Sequence, residues 1–337
     1  MIVIFLSSPV EGAAGPACLP IGIKRLKPAP ITTASERAPI MSDHQESLRA
    51  LDHVVLPVVA LDEARVRLAS LGFTVAADAR HPFGTENACV FFSDDTYLEP
   101  LGVASREECE AAARAGNVFV ARDQAFRFRR GEGASAIVVK SLDATADHAR
   151  FGAAGFSAGD MLYFERPMKL PDGTETTAGF RLAFASDLRA PDFFLFACQR
   201  VNALPANRGS LERHDNGVLG ISAVVLGEEN PSDFQYLLET VFGQREIEAH
   251  SFGISLQSAN VRIEALTSAG LSGYYSIASG PHGRGLDAVA VVFRVGDIGV
   301  TERLLADRGI AFARHGARLV VPPAAGQGVS FVFEGIA

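Results

Sequence analysis

The chain has only four cysteines, no apolar run long enough to cross a bilayer, and fewer basic than acidic side chains. Each shortage excludes something. Cys18, Cys89, Cys109 and Cys198 are scattered, and no two stand in the C-x-x-C spacing of a structural zinc site. Four isolated cysteines in 337 residues do not make the disulfide scaffold of a small secreted domain. Cys89 and Cys198 lie within apolar strand-like runs, where a thiol acts as a small hydrophobe. A reduced, cytoplasmic protein is the expectation. The apolar stretch at residues 2–6 is too short to span a membrane and has no basic residue before it, so no membrane association is expected. The formal net charge of -8 argues against a nucleic-acid partner. The local basic run of Arg127, Arg129 and Arg130 reads as a solvated loop. There is no serine-nucleophile triad pattern and no Walker loop. Gly280, Gly283 and Gly285 do not follow a strand and open a helix, so they read as a loop rather than a dinucleotide fingerprint.

What is present is a repeat. Residues 1–47 are rich in Pro, Ala and Ser and lack periodicity, and they read as a flexible extension, with Met41 as an alternative start. Beyond them one unit recurs four times: an apolar strand, an amphipathic helix ending near glycine, then three strands. The first copy opens at residues 51–59. Its helix, at 62–71, carries Ala64, Val66, Leu68 and Leu71, and Gly72 stands at the C-cap. Strands are expected at 73–77, 88–92 and 96–101, with Ser93, Asp94 and Asp95 in the last turn. The second copy has a first strand at 136–139, a helix at 143–153, strands at 161–165, 178–185 and 193–199, and a turn at 171–173. The third begins at 220–226, with a helix at 231–242 and strands at 246–252 and 259–266; the fourth begins at 286–295, with a helix at 297–308 and strands at 318–321 and 329–334.

The predicted fold is therefore α+β: four tandem βαβββ modules paired into two half-barrel domains. The first pair spans residues 48–202, a linker 203–216, and the second pair 217–337. Each unit alone exposes one apolar sheet face, and pairing two units closes that face into a cup.

The strings Leu51-Asp52-His53, His81 to Thr85 followed by Asn87, Tyr97-Leu98-Glu99, Cys198-Gln199 and His214 to Gly217 resemble the vicinal-oxygen-chelate superfamily, and within it the glyoxalase-like branch. The resemblance implies a divalent metal (Zn, Mn, Fe, Co or Ni) in the cup, held by first and last strands of the modules. His53, Glu99 and Gln199 match those positions, with Glu99 as an alternative general base. Arg200 stands where relatives tend to have His, and would serve an anionic substrate. Asn87 and His214 are further candidate substrate contacts, although Asn and His in such loops commonly stabilise turns. The implied activity is a metal-assisted isomerase or lyase on a small oxygen-rich molecule. The rival is a non-catalytic protein that sequesters a small molecule in the same cup, with the Phe193, Phe194 and Phe196 strand as its wall. An extradiol-type dioxygenase is disfavoured, because the third and fourth first strands offer Ile221, Ala223, Ala288 and Ala290 rather than histidines. A small molecule is the expected partner, with a homodimer as the candidate assembly.

Overall fold

The computed structural model describes residues 48–169, 174–202, 208–278 and 284–336, within one compact unit at 46–337. The extension, Met41, Cys18, the turn at 171–173, His282, Gly280, Gly283 and linker residues 203–207 lie outside the described residues.

The first module contains β1 (Leu51–Pro57), α1 (Leu61–Ser70), β2 (Ala79–Arg80), β3 (Thr85–Asn87), β4 (Val90–Phe91) and β5 (Tyr97–Val103). A helical pair follows, α2 (Arg106–Arg114) and α3 (Val118–Arg130). The second module is β6 (Ala136–Ser141), α4 (Ala144–Ala153), β7 (Leu162–Lys169), β8 (Glu175–Ala185) and β9 (Phe194–Arg200). The third holds β10 (Val218–Gly227), α5 (Gln235–Phe242), β11 (Ile247–His250), β12 (Gly253–Gln257) and β13 (Arg262–Leu266), followed by α6 (Ser268–Tyr275). The fourth is β14 (Asp287–Val295), α7 (Ile298–Asp307), β15 (Ala313–His315), β16 (Arg318–Val321) and β17 (Ser330–Gly335).

Two sheets result. Their orders are β2-β3-β5-β1-β6-β9-β8-β7, with β4 also on β5, and β11-β12-β13-β10-β14-β17-β16-β15. In each, the first strands of two modules meet antiparallel at the centre, and each pairs in parallel with the last strand of its own module. These are the paired half-barrels the repeat predicts. The helix-covered faces of both sheets share one apolar core, in which Phe73 touches Phe293 at 5.3 Å between ring centroids. The opposite faces form two separate clusters, one in each cup. Alternation along the strands sorts the side chains: Val54 and Leu56 enter the shared core, whereas Val55 enters the first cup.

Several local expectations change. Val66 faces solvent from α1, leaving Leu61, Ala64 and Leu68 as its buried stripe. Residues 73–77 are not a strand. Phe73 is instead a core anchor following Gly72, whose φ of +87° and close approach to Asn216 both require glycine. The basic run is not a loop. Arg127, Arg129 and Arg130 form the last turn of α3 and pair with Asp123, Asp192 and Asp287. Asn117 starts that helix by accepting a hydrogen bond from the Val120 amide, as Ser105 does for α2 from Glu108.

Candidate functional site

The first cup owes its polar centre to a register break. The β1–β6 ladder shifts between Leu51 and His53, so Asp52 occupies a bulge and lies beside His53 instead of on the opposite face. His53 pairs across with Tyr97 of β5, and their rings stack at 4.3 Å. Glu99 stands two residues further along β5, on the same face by the two-residue period of a strand. Its Oε2 lies 3.2 Å from His53 Nε2, while His53 Nδ1 meets Asp52 Oδ2 at 2.9 Å. Arg200 Nη2 donates to both oxygens of Asp52, at 2.7 and 3.0 Å. The outcome is a chain of alternating charge, Arg200–Asp52–His53–Glu99, buried except at the half-buried Arg200.

The β3 side supplies neutral partners. Asn87 donates through Nδ2 to Glu99 Oε1 at 2.6 Å, and His81 Nε2 lies 3.8 Å from that oxygen. From β7, Arg166 Nη1 donates to Asn87 Oδ1 at 3.4 Å. His53, His81, Glu99 and Arg166 line a cavity of about 40 Å³, walled by Phe83, Phe119, Phe164, Phe180 and Phe196. α3 contributes Phe119 to that wall.

Burial by itself would push the Glu99 carboxyl up, but hydrogen bonds from His53 and Asn87 and the charges of His53 and His81 bring it down to about 2. Burial would also depress His53; its hydrogen bonds to Asp52 and Glu99 outweigh that and raise its pKa. His81 has no such support: burial, with Arg166 and His53 nearby, lowers it to about 4 despite Glu99. Asp52 is held below its ordinary value, because His53 and Arg200 overcome its burial. Burial pushes up the thiol of Cys198, which lines the cavity, and it stays neutral.

The structure unites His53, Glu99 and Asn87, with Arg200 one link behind. It does not bring Gln199 to them. β9 turns Phe194, Phe196 and Cys198 into the cup, so Gln199 points away; its Oε1 accepts from the Ala144 amide at 3.1 Å and its Nε2 donates to Leu142 O at 2.9 Å, at the start of α4. His214 is likewise outside the cup. It accepts from the Thr74 amide, donates to Phe91 O, and packs on Phe73 and Phe92 on the far side of the sheet. A turn at Asp215 and Asn216 follows it, closed by the Gly217 amide donating to His214 O. Asp52, His81 and Arg166 are the members that sequence reading missed. The bulge hides Asp52, and Arg166 comes from a distant strand. His81 and Asp52 each stood in a string quoted for the resemblance, but nothing in the strings assigned either a place in the cup.

The corresponding register positions elsewhere carry Ala136 and Phe196 in the second module, Ala223 and Glu264 in the third, and Ala290 and Val332 in the fourth. Glu264 is held by Tyr275 of α6 and by Arg262, each at 2.5 Å. The second cup thus has one acid, engaged, and no histidine at those positions. A larger cavity, about 630 Å³, lies between the end of α3 and the second sheet, lined by residues such as Phe126, Arg130, Ile277, Phe312 and Val320. Size does not make it the reacting site, because its Arg130 is tied to Asp192 and Asp287.

Paired βαβββ half-barrels with a His–Glu cup define a protein of the vicinal-oxygen-chelate superfamily. The glyoxalase-like domain matches residues 51–242, more than half of the chain, and the protein belongs to that family. Among solved structures, a hypothetical protein from Staphylococcus aureus is similar at 13% identity and a TM-score of 0.60, over 85% of this chain and 99% of that one. A mutant of 4-hydroxymandelate synthase from Streptomyces coelicolor is similar at 15% identity and a TM-score of 0.54, over 86% and 93%. At such identities the likeness concerns the fold. No curated protein sequence matches the chain.

Proposed function

We propose that the first cup is the proton-transfer site of a glyoxalase-like isomerase or lyase acting on a small oxygen-rich molecule. The observation that carries the reading is the contact between His53 Nε2 and Glu99 Oε2, inside a cup otherwise walled by aromatic rings. A carboxylate depressed to about 2 is a weak base on its own, so Glu99 is better suited to hold His53 and stabilise its charge than to take the proton alone. Its two carboxylate partners raise the His53 pKa, so His53 holds a proton, and Asp52 fixes the orientation of its ring through Nδ1. With Glu99 as the acceptor and His53 as the proton donor, the pair would move a proton from a carbon beside a carbonyl to a neighbouring atom, with no net redox change.

A divalent ion in this cup would have to be held by His53, Glu99 and His81. The trio does not make a preformed centre, because His81 Nε2 stands 3.8 Å from the Glu99 oxygen that Asn87 already holds. Both Glu99 oxygens are engaged, Gln199 is turned away, and Arg166 adds a cation to the same cavity. Among the described residues no group of three His, Cys, Asp or Glu side chains is arranged around an ion. No step is assigned to a metal.

The test is solvent hydrogen–deuterium exchange, followed by proton NMR, on a panel of small 2-oxo and 2-hydroxy compounds. The reading expects the wild type to exchange at least one of them and Glu99→Gln to lose that exchange. Binding of panel members without any exchange would overturn it in favour of sequestration.

A further inference from the structure

Among the described residues at this site, Arg166 is the charged group that meets no opposite charge. Asp52 is matched by Arg200, and Glu99 by its hydrogen bonds to His53 and Asn87. Arg166 lines the same cavity, half-buried on the inward face of β7, with its guanidinium 5.7 Å from the Phe180 ring centroid. Its polar contact is the amide oxygen of Asn87 at 3.4 Å, and no carboxylate among the described residues stands within ion-pair distance of it. A guanidinium facing an apolar cavity with only a neutral partner attracts an oxyanion, and its planar donors suit a carboxylate. Asn87 bridges Arg166 to Glu99, so an anion seated on Arg166 has its neighbouring atoms directed toward the His53–Glu99 pair.

We infer that Arg166 is the anion subsite of this cup and that the substrate is a small oxo- or hydroxycarboxylate. The inference rests on the proton-transfer reading for what happens to the ligand, but not for its binding. Size narrows the class. The cavity is narrow, about 40 Å³, and walled by phenylalanines, so a carboxylate on a short carbon chain suits it better than a bulky acid.

The probes are pyruvate, glyoxylate and pyruvamide, the last a neutral counterpart of pyruvate, titrated calorimetrically against the whole protein. Wild type should bind at least one acid saturably, and pyruvate should bind at least tenfold more tightly than pyruvamide. Arg166→Met should lose at least tenfold in acid binding, and Arg166→Lys should lose less. Circular dichroism checks that each variant is folded; if Arg166→Met is not, the Lys variant and the pyruvamide comparison decide. Equal binding of acid and amide, acid binding that survives loss of the guanidinium, or no saturable acid binding by the folded wild type overturns the inference. Acid binding that depends on Arg166 without proton exchange supports the subsite and refutes only the proton-transfer reading.

Discussion

Replacing Asp52 by Asn removes the charge at the centre of the buried chain while nearly preserving shape. Asp52 is 1% exposed and serves two partners at once, His53 Nδ1 at 2.9 Å and Arg200 Nη2 at 2.7 Å. Removing one member of a buried ion pair typically costs about 3–5 kcal/mol, because the other charge is stranded. Asn keeps an acceptor, so one hydrogen bond worth about 1 kcal/mol survives, and the expected loss is about 2–4 kcal/mol. Urea unfolding should show a lower midpoint with an unchanged slope. Adding Arg200→Met to Asp52→Asn removes the stranded cation, so the double variant should be more stable than the sum of the single losses, by about 1–3 kcal/mol. The pH dependence follows from the lowered Asp52 pKa. Its contribution is present above the unfolded carboxyl value, near 4, and is lost as pH falls through the folded value, so wild type and variant converge in acid. A loss below about 0.5 kcal/mol at neutral pH, or strict additivity, would refute the claim that this chain is a coupled buried network.

His81 should give the reverse of a cation's signature. Its folded pKa is lowered to about 4, so the unfolded chain binds more protons below about 6.5, and His81 should weaken the fold by about 3 kcal/mol between pH 6.5 and 4; unfolding of His81→Gln against wild type across that range isolates the effect. Gln199→Ala should cost about 1 kcal/mol through the start of α4 yet leave ligand binding unchanged; a large loss of binding would return Gln199 to the cup. Elemental analysis should find less than one equivalent of divalent metal per purified chain; a stoichiometric ion that disappears in the His53→Ala, Glu99→Ala double variant would reverse the argument against a preformed ion site.

The architecture was legible because each module repeats signals that local physics enforces. Apolar runs such as 220–226 must be buried strands, and Asp143 and Asp297 cap the helices that follow their strands. The helical pair α2–α3 escaped notice although Ser105 and Asn117 are ordinary N-caps, because the charges of its last turn suggested solvent rather than partners contributed by distant segments. His53 and Glu99 could be found by matching first and last strands. Gln199 could have been rejected by parity alone, since Phe194, Phe196 and Cys198 alternate inward. Asp52 and Arg166 could not be found in this way. A bulge breaks the parity at Asp52, and the position of Arg166 depends on how the second module curls over the first.

The most direct test of the account is a double-variant cycle on proton exchange, using the panel compound that wild type exchanges fastest. If His53 and Glu99 act as one unit, His53→Gln, Glu99→Gln and the double variant should lose similar amounts of rate. Losses that multiply in the double variant would mean the two side chains work separately, and the account of the cup would be wrong.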